Sequence, residues 1–113
     1  MILIAGPCSI ESWDICAVIA EELVRAQETY DVHLIFKASF DKANRTRLDS
    51  YRGVGFQEGL EALARVRREF GLSVLTDVHE TNQVDTAAEV VDVIQIPAFL
   101  CRQTDLLLAA GRT

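Results

Sequence analysis

The sequence is poor in the features that would place it in several common classes. It has two prolines, one tryptophan and three cysteines in 113 residues, and 11 Lys and Arg stand against 17 Asp and Glu. The net charge of −6, with no basic stripe along any predicted helix, argues against nucleic acid as a partner. Because the cysteine count is odd, we expect no disulfide framework and a reducing cytoplasm.

Membrane and cofactor signatures are also missing. No apolar run reaches the roughly 18 residues of a membrane span, so no membrane partner is predicted. The first six residues lack a charged leader and favour a strand over a signal peptide. Neither a P-loop, a dinucleotide-binding glycine fingerprint, an HExxH nor a CxxC pair occurs. Nucleotide hydrolysis, Rossmann redox chemistry and the common zinc sites are therefore not first choices.

What is present is an apolar strand followed by a helix, four times over. The predicted strands are Ile2–Ala5, His33–Ala38, Leu72–Thr76 and Val90–Ile96. The predicted helices run from the N-cap Ser12 to about Glu28, over Phe56–Phe70, over Thr81–Glu89, and from Thr104 or Asp105 to Ala110. A long polar loop spans Ser39–Gly55. Four consecutive units with short apolar strands predict a parallel α/β sheet.

Polar clusters follow all four predicted strands, at 6–12, 37–45, 77–80 and 95–103. A barrel assembles its site from several successive strand ends, whereas an open sheet concentrates it at one switch point. The pattern therefore favours a TIM (β/α)8 barrel, which typically needs about 250 residues. We predict that residues 1–113 form a single partial barrel domain, the first four βα units.

The second cluster is dense in cations and neutral donors. Lys37 follows an apolar triplet, and Lys42, Asn44 and Arg45 come five to eight residues later. Ammonium and guanidinium groups suit phosphate oxygens, and an amide suits sugar hydroxyls. The sequence thus indicates a phosphorylated, hydroxylated ligand, with an ordinary solvated loop as the alternative.

The other clusters allow two interpretations each. Cys8 is a metal ligand, a nucleophile or a small packed residue. Asp77 and His79 either orient a substrate hydroxyl and move a proton, or are satisfied structural groups. Gln95 bonds a neighbouring strand end or a ligand, and Arg102 reaches a phosphate or a neighbouring subunit.

Four sequence strings carry a resemblance to a known family. They are AGPCSIES at 5–12, FKASFDKANR at 36–45, TDVHE at 76–80 and IQIPAFLCRQTDL at 94–106. In this order they resemble the 3-deoxy-D-manno-octulosonate-8-phosphate (KDO-8-phosphate) synthases. The related 3-deoxy-D-arabino-heptulosonate-7-phosphate synthases have a KPRTS-type pattern where this chain has KANRT, which favours the first family.

The resemblance implies a homotetramer of (β/α)8 barrels. It implies a transferase that condenses phosphoenolpyruvate with D-arabinose 5-phosphate, giving KDO-8-phosphate and phosphate for lipopolysaccharide biosynthesis. Lys42 and Asp77 would be the catalytic residues. The implied substrate-binding residues are Lys37 and Gln95 for phosphoenolpyruvate, Lys42 between the substrates, Asn44, Arg45, Thr46 and Asp77 for the sugar, and Phe99 and Arg102 beside them.

The same resemblance bears on a metal. Cys8 places the chain in the metal-dependent class, whose divalent ion is Mn, Zn, Fe or Co and whose other ligands are expected in later strands. His79 is not taken as a substitute ligand. Arg47 departs from the family, which usually has a second small hydroxyl residue there.

Two rivals remain. One is a non-catalytic half-barrel that self-associates to cover its sheet edges. The other is a sugar-phosphate lyase or aldolase with a Schiff-base lysine, which borohydride trapping of Lys37 or Lys42 would reveal.

Because no fifth strand is predicted before Thr113, we expect negligible synthase activity from these 113 residues alone. The measurement is phosphate release from phosphoenolpyruvate and arabinose 5-phosphate with Mn²⁺ or Zn²⁺. Robust turnover would contradict the expectation.

Overall fold

All 113 residues are described by the computed structural model, in which one parallel sheet is packed against helices. The strands, in the order β1-β2-β3-β4, are β1 (Ile2–Ser9), β2 (His33–Ser39), β3 (Ser73–Asp77) and β4 (Val93–Gln95). The helices are α1 (Trp13–Tyr30), α2 (Phe56–Phe70), α3 (Thr81–Ala88) and α4 (Thr104–Ala110), with a 3₁₀ turn at Ala98–Leu100. Each neighbouring strand pair is parallel. The predicted α/β class with four βα units is confirmed.

The helix boundaries follow from local capping. The Ser12 hydroxyl accepts a hydrogen bond from the Ile15 amide at 3.3 Å, as expected of an N-cap. Helix α2 has the predicted bounds and ends at Gly71, whose amide bonds the Arg67 carbonyl. Helix α3 begins with a capping box between Glu80 and Gln83. Each cap satisfies backbone groups that a helix end leaves unpaired, so chain direction is fixed close to the strand ends.

The limits of β2 and β3 were predicted to within one residue, whereas those of β1 and β4 were each wrong by three or more at one end. β1 does not stop at Ala5 but runs on to Ser9, with a bulge between Ala5 and Cys8. Pro7 is tolerated because β1 lies at the sheet edge, where a missing amide breaks no inner ladder. β4 starts at Val93 rather than Val90, because the amides of Val90 and Val91 both bond the Ala87 carbonyl and finish the turn after α3.

The two faces of the sheet differ in cover. Leu34, Phe36 and Ala38 of β2 are fully buried in the core formed with the helices. The alternate residues of the strands face the other side, which the helices do not cover. There Ile2 and Ile4 of the edge strand β1 are 67% and 53% exposed, whereas Ile35 and Leu75 of the inner strands are buried. No helix is long and apolar enough to span a membrane.

The segment between β2 and α2 folds back so that its last residues contact its first. The Gly55 amide donates to the Phe40 carbonyl at 3.2 Å, and Gly53 lies against the same carbonyl. Gly53 has φ +127° and Gly55 has φ +94°, values that side chains disfavour. A Cβ on Gly53 would approach the Phe40 oxygen to 2.1 Å, whereas one on Gly55 would meet nothing within 4 Å.

Alanine at these two glycines separates strain from crowding. Both variants pay for positive φ, but only Gly53→Ala also forces the backbone of Phe40 to move. We expect Gly53→Ala to lower the free energy of unfolding by about 1–3 kcal/mol more than Gly55→Ala. Urea unfolding of the protein that carries this chain measures the difference, and equal losses would contradict it.

Candidate active site

The carboxyl ends of β2, β3 and β4 meet at one edge of the sheet and line a pocket of about 350 Å³. Strands that run parallel bring their following loops to the same edge, as in barrel enzymes. The lining includes Lys37, Lys42, Asn44, Asp77, Gln95 and Phe99. Six of the residues predicted from the sequence as substrate-binding are therefore neighbours in space, although their binding role stays a prediction.

The Ser39 hydroxyl is the centre of this pocket. Its oxygen accepts hydrogen bonds from Lys37 Nζ at 2.9 Å and from Lys42 Nζ at 2.8 Å. It donates its own proton to Asp77 Oδ1 at 2.5 Å. Ser39 is fully buried, so its one donor and two acceptor positions are all used inside the protein. The hydroxyl fixes the spacing of two ammonium groups.

Asp77 is the only carboxylate bonded within this cluster. Its Oδ1 lies 3.8 Å from Lys37 Nζ, and its Oδ2 lies 3.1 Å from His79 Nε2. Burial raises the pKa of Asp77, but the hydrogen bonds from His79 and Ser39 and the charge of Lys37 outweigh it and bring the pKa to about 2. Asp77 is therefore a carboxylate at neutral pH.

The charges in the cluster do not balance. Burial lowers the pKa of Lys37, and the nearby Lys42 ammonium lowers it further against the opposing effect of Asp77. Two lysines thus share one carboxylate through one hydroxyl. A bound anion would relieve the repulsion between the ammonium groups, so the pocket is suited to a phosphate or a carboxylate.

His79 closes the side of the pocket next to Asp77. Its ring lies edge-on to Phe40, with ring centres 5.6 Å apart. The Gln83 side-chain oxygen accepts from the backbone amides of His79 and Glu80 at 2.9 and 3.2 Å, which fixes the turn that carries the ring. The capping residue of the next helix is Glu80, so Asp77 is free for the pocket.

Four predicted site residues lie outside the pocket lining. Arg45 is half-buried, and its Nη1 points back to the Ala43 carbonyl at 3.4 Å while Nε has no partner. Thr46 and Arg102 are exposed. Cys8 is exposed near the end of β1 and has a positive φ of 57°. It lies close enough to Lys37 for a negative charge on its sulfur to raise the pKa of that lysine.

The metal prediction for Cys8 finds no support within residues 1–113. No group of three or more His, Cys, Asp or Glu side chains in the structure could hold a metal ion. One exposed thiol is a single donor, whereas structural and catalytic sites use three or four protein ligands. These residues alone do not make a metal centre.

Ser39 and Asp41 also line the pocket, and the sequence reading did not select them. The signal for Ser39 was available, because alternate strand residues share a face and Ser39 is two positions after Lys37. A larger groove of about 680 Å³ runs beside Asp85, Glu89 and Asp92. Its lining has three acids against one cation, Arg112, so it is less suited to an anion than the strand-end pocket.

Comparisons with known proteins show which family the chain belongs to. The family profile described as "DAHP synthetase I family" matches residues 1–113. A Wolinella succinogenes protein named 2-dehydro-3-deoxyphosphooctonate aldolase is 59% identical over 113 residues, which is 100% of this chain and 43% of that protein. Proteins of the same name from Campylobacter jejuni (strain RM1221) and Synechococcus are 58% and 57% identical, over 100% and 98% of this chain and 42% and 39% of theirs. The chain thus spans about two fifths of the length of these relatives.

The depressed pKa of Asp77 predicts an acid-dependent loss of stability. Its stabilisation is fully present above the ordinary value of 3.8 and is lost as pH falls towards about 2. The shift corresponds to about 2 kcal/mol. We expect the gap in unfolding free energy between the protein and its Asp77→Asn variant to shrink by about that amount.

Urea unfolding at stepwise pH between 5 and 2 measures this gap. Asp85→Asn, at an exposed carboxylate inside α3, is the control for the loss of one surface charge. A gap for Asp77→Asn that stays constant with pH would contradict the assignment.

Proposed function

Because the chain belongs to the DAHP synthetase I family, we propose that the protein carrying it condenses phosphoenolpyruvate with D-arabinose 5-phosphate. The products are 3-deoxy-D-manno-octulosonate 8-phosphate and phosphate, a step of lipopolysaccharide precursor synthesis. The names of the relatives at 57–59% identity describe the same phosphooctonate chemistry. The strings KANR and PAFLCRQTDL favour this aldose over that of the heptulosonate synthases.

The observation that carries the proposal is the pair of lysines joined by Ser39 at the strand ends. Both substrates are anions, and the reaction brings them together in one pocket. A site for two anions needs cations whose repulsion is already offset by the protein, and Asp77 supplies that offset. Asn44, from the loop after β2, and Phe99, from the turn after β4, also line the pocket.

In the proposed reaction, C3 of phosphoenolpyruvate attacks the aldehyde carbon of the sugar. Water adds at C2, and the resulting tetrahedral centre expels phosphate by cleavage of the C2–O bond. Lys37 on β2 and Gln95 on β4, whose ends flank that of β3, hold the carboxylate and phosphate of phosphoenolpyruvate. Lys42 lies between the two substrates, where its ammonium offsets the charge of both. Holding the reactants together supplies much of the acceleration.

Asp77 acts as a hydrogen-bond acceptor in this scheme. With a pKa of about 2, it carries no proton to donate at neutral pH and is a weak general base. Its oxygens already accept from Ser39 and His79, and they orient sugar hydroxyls in the same way. Asn44 also binds the sugar. Arg45, Thr46 and Arg102 would reach the sugar phosphate only after their side chains turn towards the pocket.

Three wider features belong to the same proposal. Residues 1–113 form the first four units of a (β/α)8 barrel, and the protein is a cytoplasmic homotetramer. Cys8 contributes one ligand to a divalent metal, Mn, Zn, Fe or Co, whose other ligands would come from outside these residues. Such an ion would supply Lewis-acid polarisation when bound. No step above depends on it, because residues 1–113 do not complete its site.

Phosphate release tests the proposal. The protein that carries this chain is supplied with phosphoenolpyruvate and either arabinose 5-phosphate or erythrose 4-phosphate. We expect kcat/KM to be higher with arabinose 5-phosphate by about 100-fold or more. Preference for erythrose 4-phosphate would assign the heptulosonate reaction instead.

The same assay is applied to Lys42→Met, which we expect to lower kcat/KM by about 100-fold, because it removes a charge-assisted contact to both anions. Arg68→Met, at an exposed cation in the last turn of α2, is the matched control. A Lys42→Met variant as active as that control would overturn the role of Lys42.

A further inference from the structure

The loop that presents Lys42 and Asn44 to the pocket is joined at its two ends by one ion pair. Arg52 Nε donates to Asp41 Oδ1 at 2.8 Å, and Nη2 donates to Oδ2 at 2.6 Å. The two residues are 11 positions apart and flank residues 42–51, called here the substrate loop. The Asp41–Arg52 pair is called the clasp.

Backbone contacts place the clasp at a neck rather than on an open surface. The Lys42 amide donates to the Arg52 carbonyl, so a backbone hydrogen bond joins the two ends of the loop beside the ion pair. Directly outside the neck, Gly53 packs on the Phe40 carbonyl. The Tyr51 hydroxyl donates to the Ile10 carbonyl at 3.1 Å and ties the loop to the connection after β1. Fixing both ends of the loop limits the positions that Lys42 can take.

A second aspartate–arginine pair in the same loop has a different effect. Arg47 donates to both oxygens of Asp49 at 3.0 and 2.9 Å, with the same two-point geometry as the clasp. It joins residues two positions apart and is largely exposed at both side chains. Such a local, solvated pair does not restrict the ends of the loop. The Arg47–Asp49 pair is therefore an internal control: it has the same bidentate geometry as the clasp but does not join the ends of the loop.

The clasp also faces the site. The Asp41 side chain lines the pocket and is only 23% exposed, whereas that of Arg52 is 55% exposed. The hydrogen bonds from Arg52 hold the pKa of Asp41 below its ordinary value, and the charges of His79 and Arg45 act in the same direction. Asp41 is therefore a carboxylate at neutral pH that is bonded away from the pocket centre.

We propose that Asp41 and Arg52 are positioning residues, and that their pairing holds the substrate loop so that Lys42 and Asn44 face the strand ends. Lys37 and Gln95 are on strands and do not depend on the loop in this way. Loss of the clasp should therefore weaken binding of the sugar phosphate more than binding of phosphoenolpyruvate. This consequence rests on the proposed function, whereas the ordering of the loop does not.

The test uses Asp41→Asn, Arg52→Gln and the double variant in the protein that carries this chain. Hydrogen–deuterium exchange of residues 42–51 reports loop order without any substrate. We expect each single variant to exchange about two- to fivefold faster there, the range for an exposed to half-buried ion pair. Asp49→Asn, which breaks the local pair, is the matched control and should leave the exchange at the neck unchanged.

Kinetics provide the second readout. KM for arabinose 5-phosphate should rise by a similar factor in both single variants, with a smaller change in KM for phosphoenolpyruvate. The double variant should be no worse than either single one, because the pair acts as a unit. Additive losses would mean that Asp41 contacts substrate on its own account and would overturn the positioning role.

The remaining outcomes are also decisive. Unchanged exchange in Asp41→Asn and Arg52→Gln would overturn the clasp. Faster exchange with an unaltered KM for the sugar phosphate would overturn its role in positioning Lys42 and Asn44. If the unmodified protein turns over neither arabinose 5-phosphate nor erythrose 4-phosphate, the proposed function fails. The exchange comparison with Asp49→Asn then still decides whether the clasp orders the loop.

Discussion

One buried hydroxyl determines how this strand-end pocket is built. Ser39 accepts from two lysines and donates to Asp77, so three charged groups are held within one hydrogen bond of a single oxygen. Leaving any of these groups buried without a partner would cost more than the bonds themselves contribute. The cluster therefore requires β2 and β3 to keep their register and the loop after β2 to keep its position. β2 supplies Lys37 and Ser39, β3 supplies Asp77, and the loop supplies Lys42.

That register comes from the opposite face of the sheet. Leu34, Phe36 and Val74 pack against the helices, and a slip by one residue would turn them outward. The same alternation that buries these apolar side chains aims Lys37, Ser39 and Asp77 away from the helices. The packing of the core and the geometry of the pocket are thus two results of one strand pattern, and the polar cluster adds specificity to an arrangement that the apolar face stabilises.

Much of this could be predicted from the sequence, for physical reasons. The four apolar strands and their helices follow from periodicity and caps, and α2 from Phe56 to Phe70 was predicted with its observed bounds. Strand boundaries that depend on specific backbone hydrogen bonds were not predicted. The bulge in β1 depends on its pairing with β2, and the late start of β4 depends on the turn that Val90 and Val91 form with Ala87. In the site, strand-end residues such as Lys37 and Asp77 were predictable, because parallel strands bring them together. The orientation of Arg45 and the Asp41–Arg52 pair could not be read from composition, because they depend on how the loop folds back.

The central claim is that two lysines are held close around one carboxylate in readiness for an anion. An NMR titration of the Lys37 side chain, in the protein that carries this chain, tests it most directly. The account predicts a Lys37 pKa below its ordinary value without ligand, and a rise when phosphoenolpyruvate is added, because the anion favours the ammonium form. A Lys37 pKa at its ordinary value that does not respond to phosphoenolpyruvate would contradict the claim.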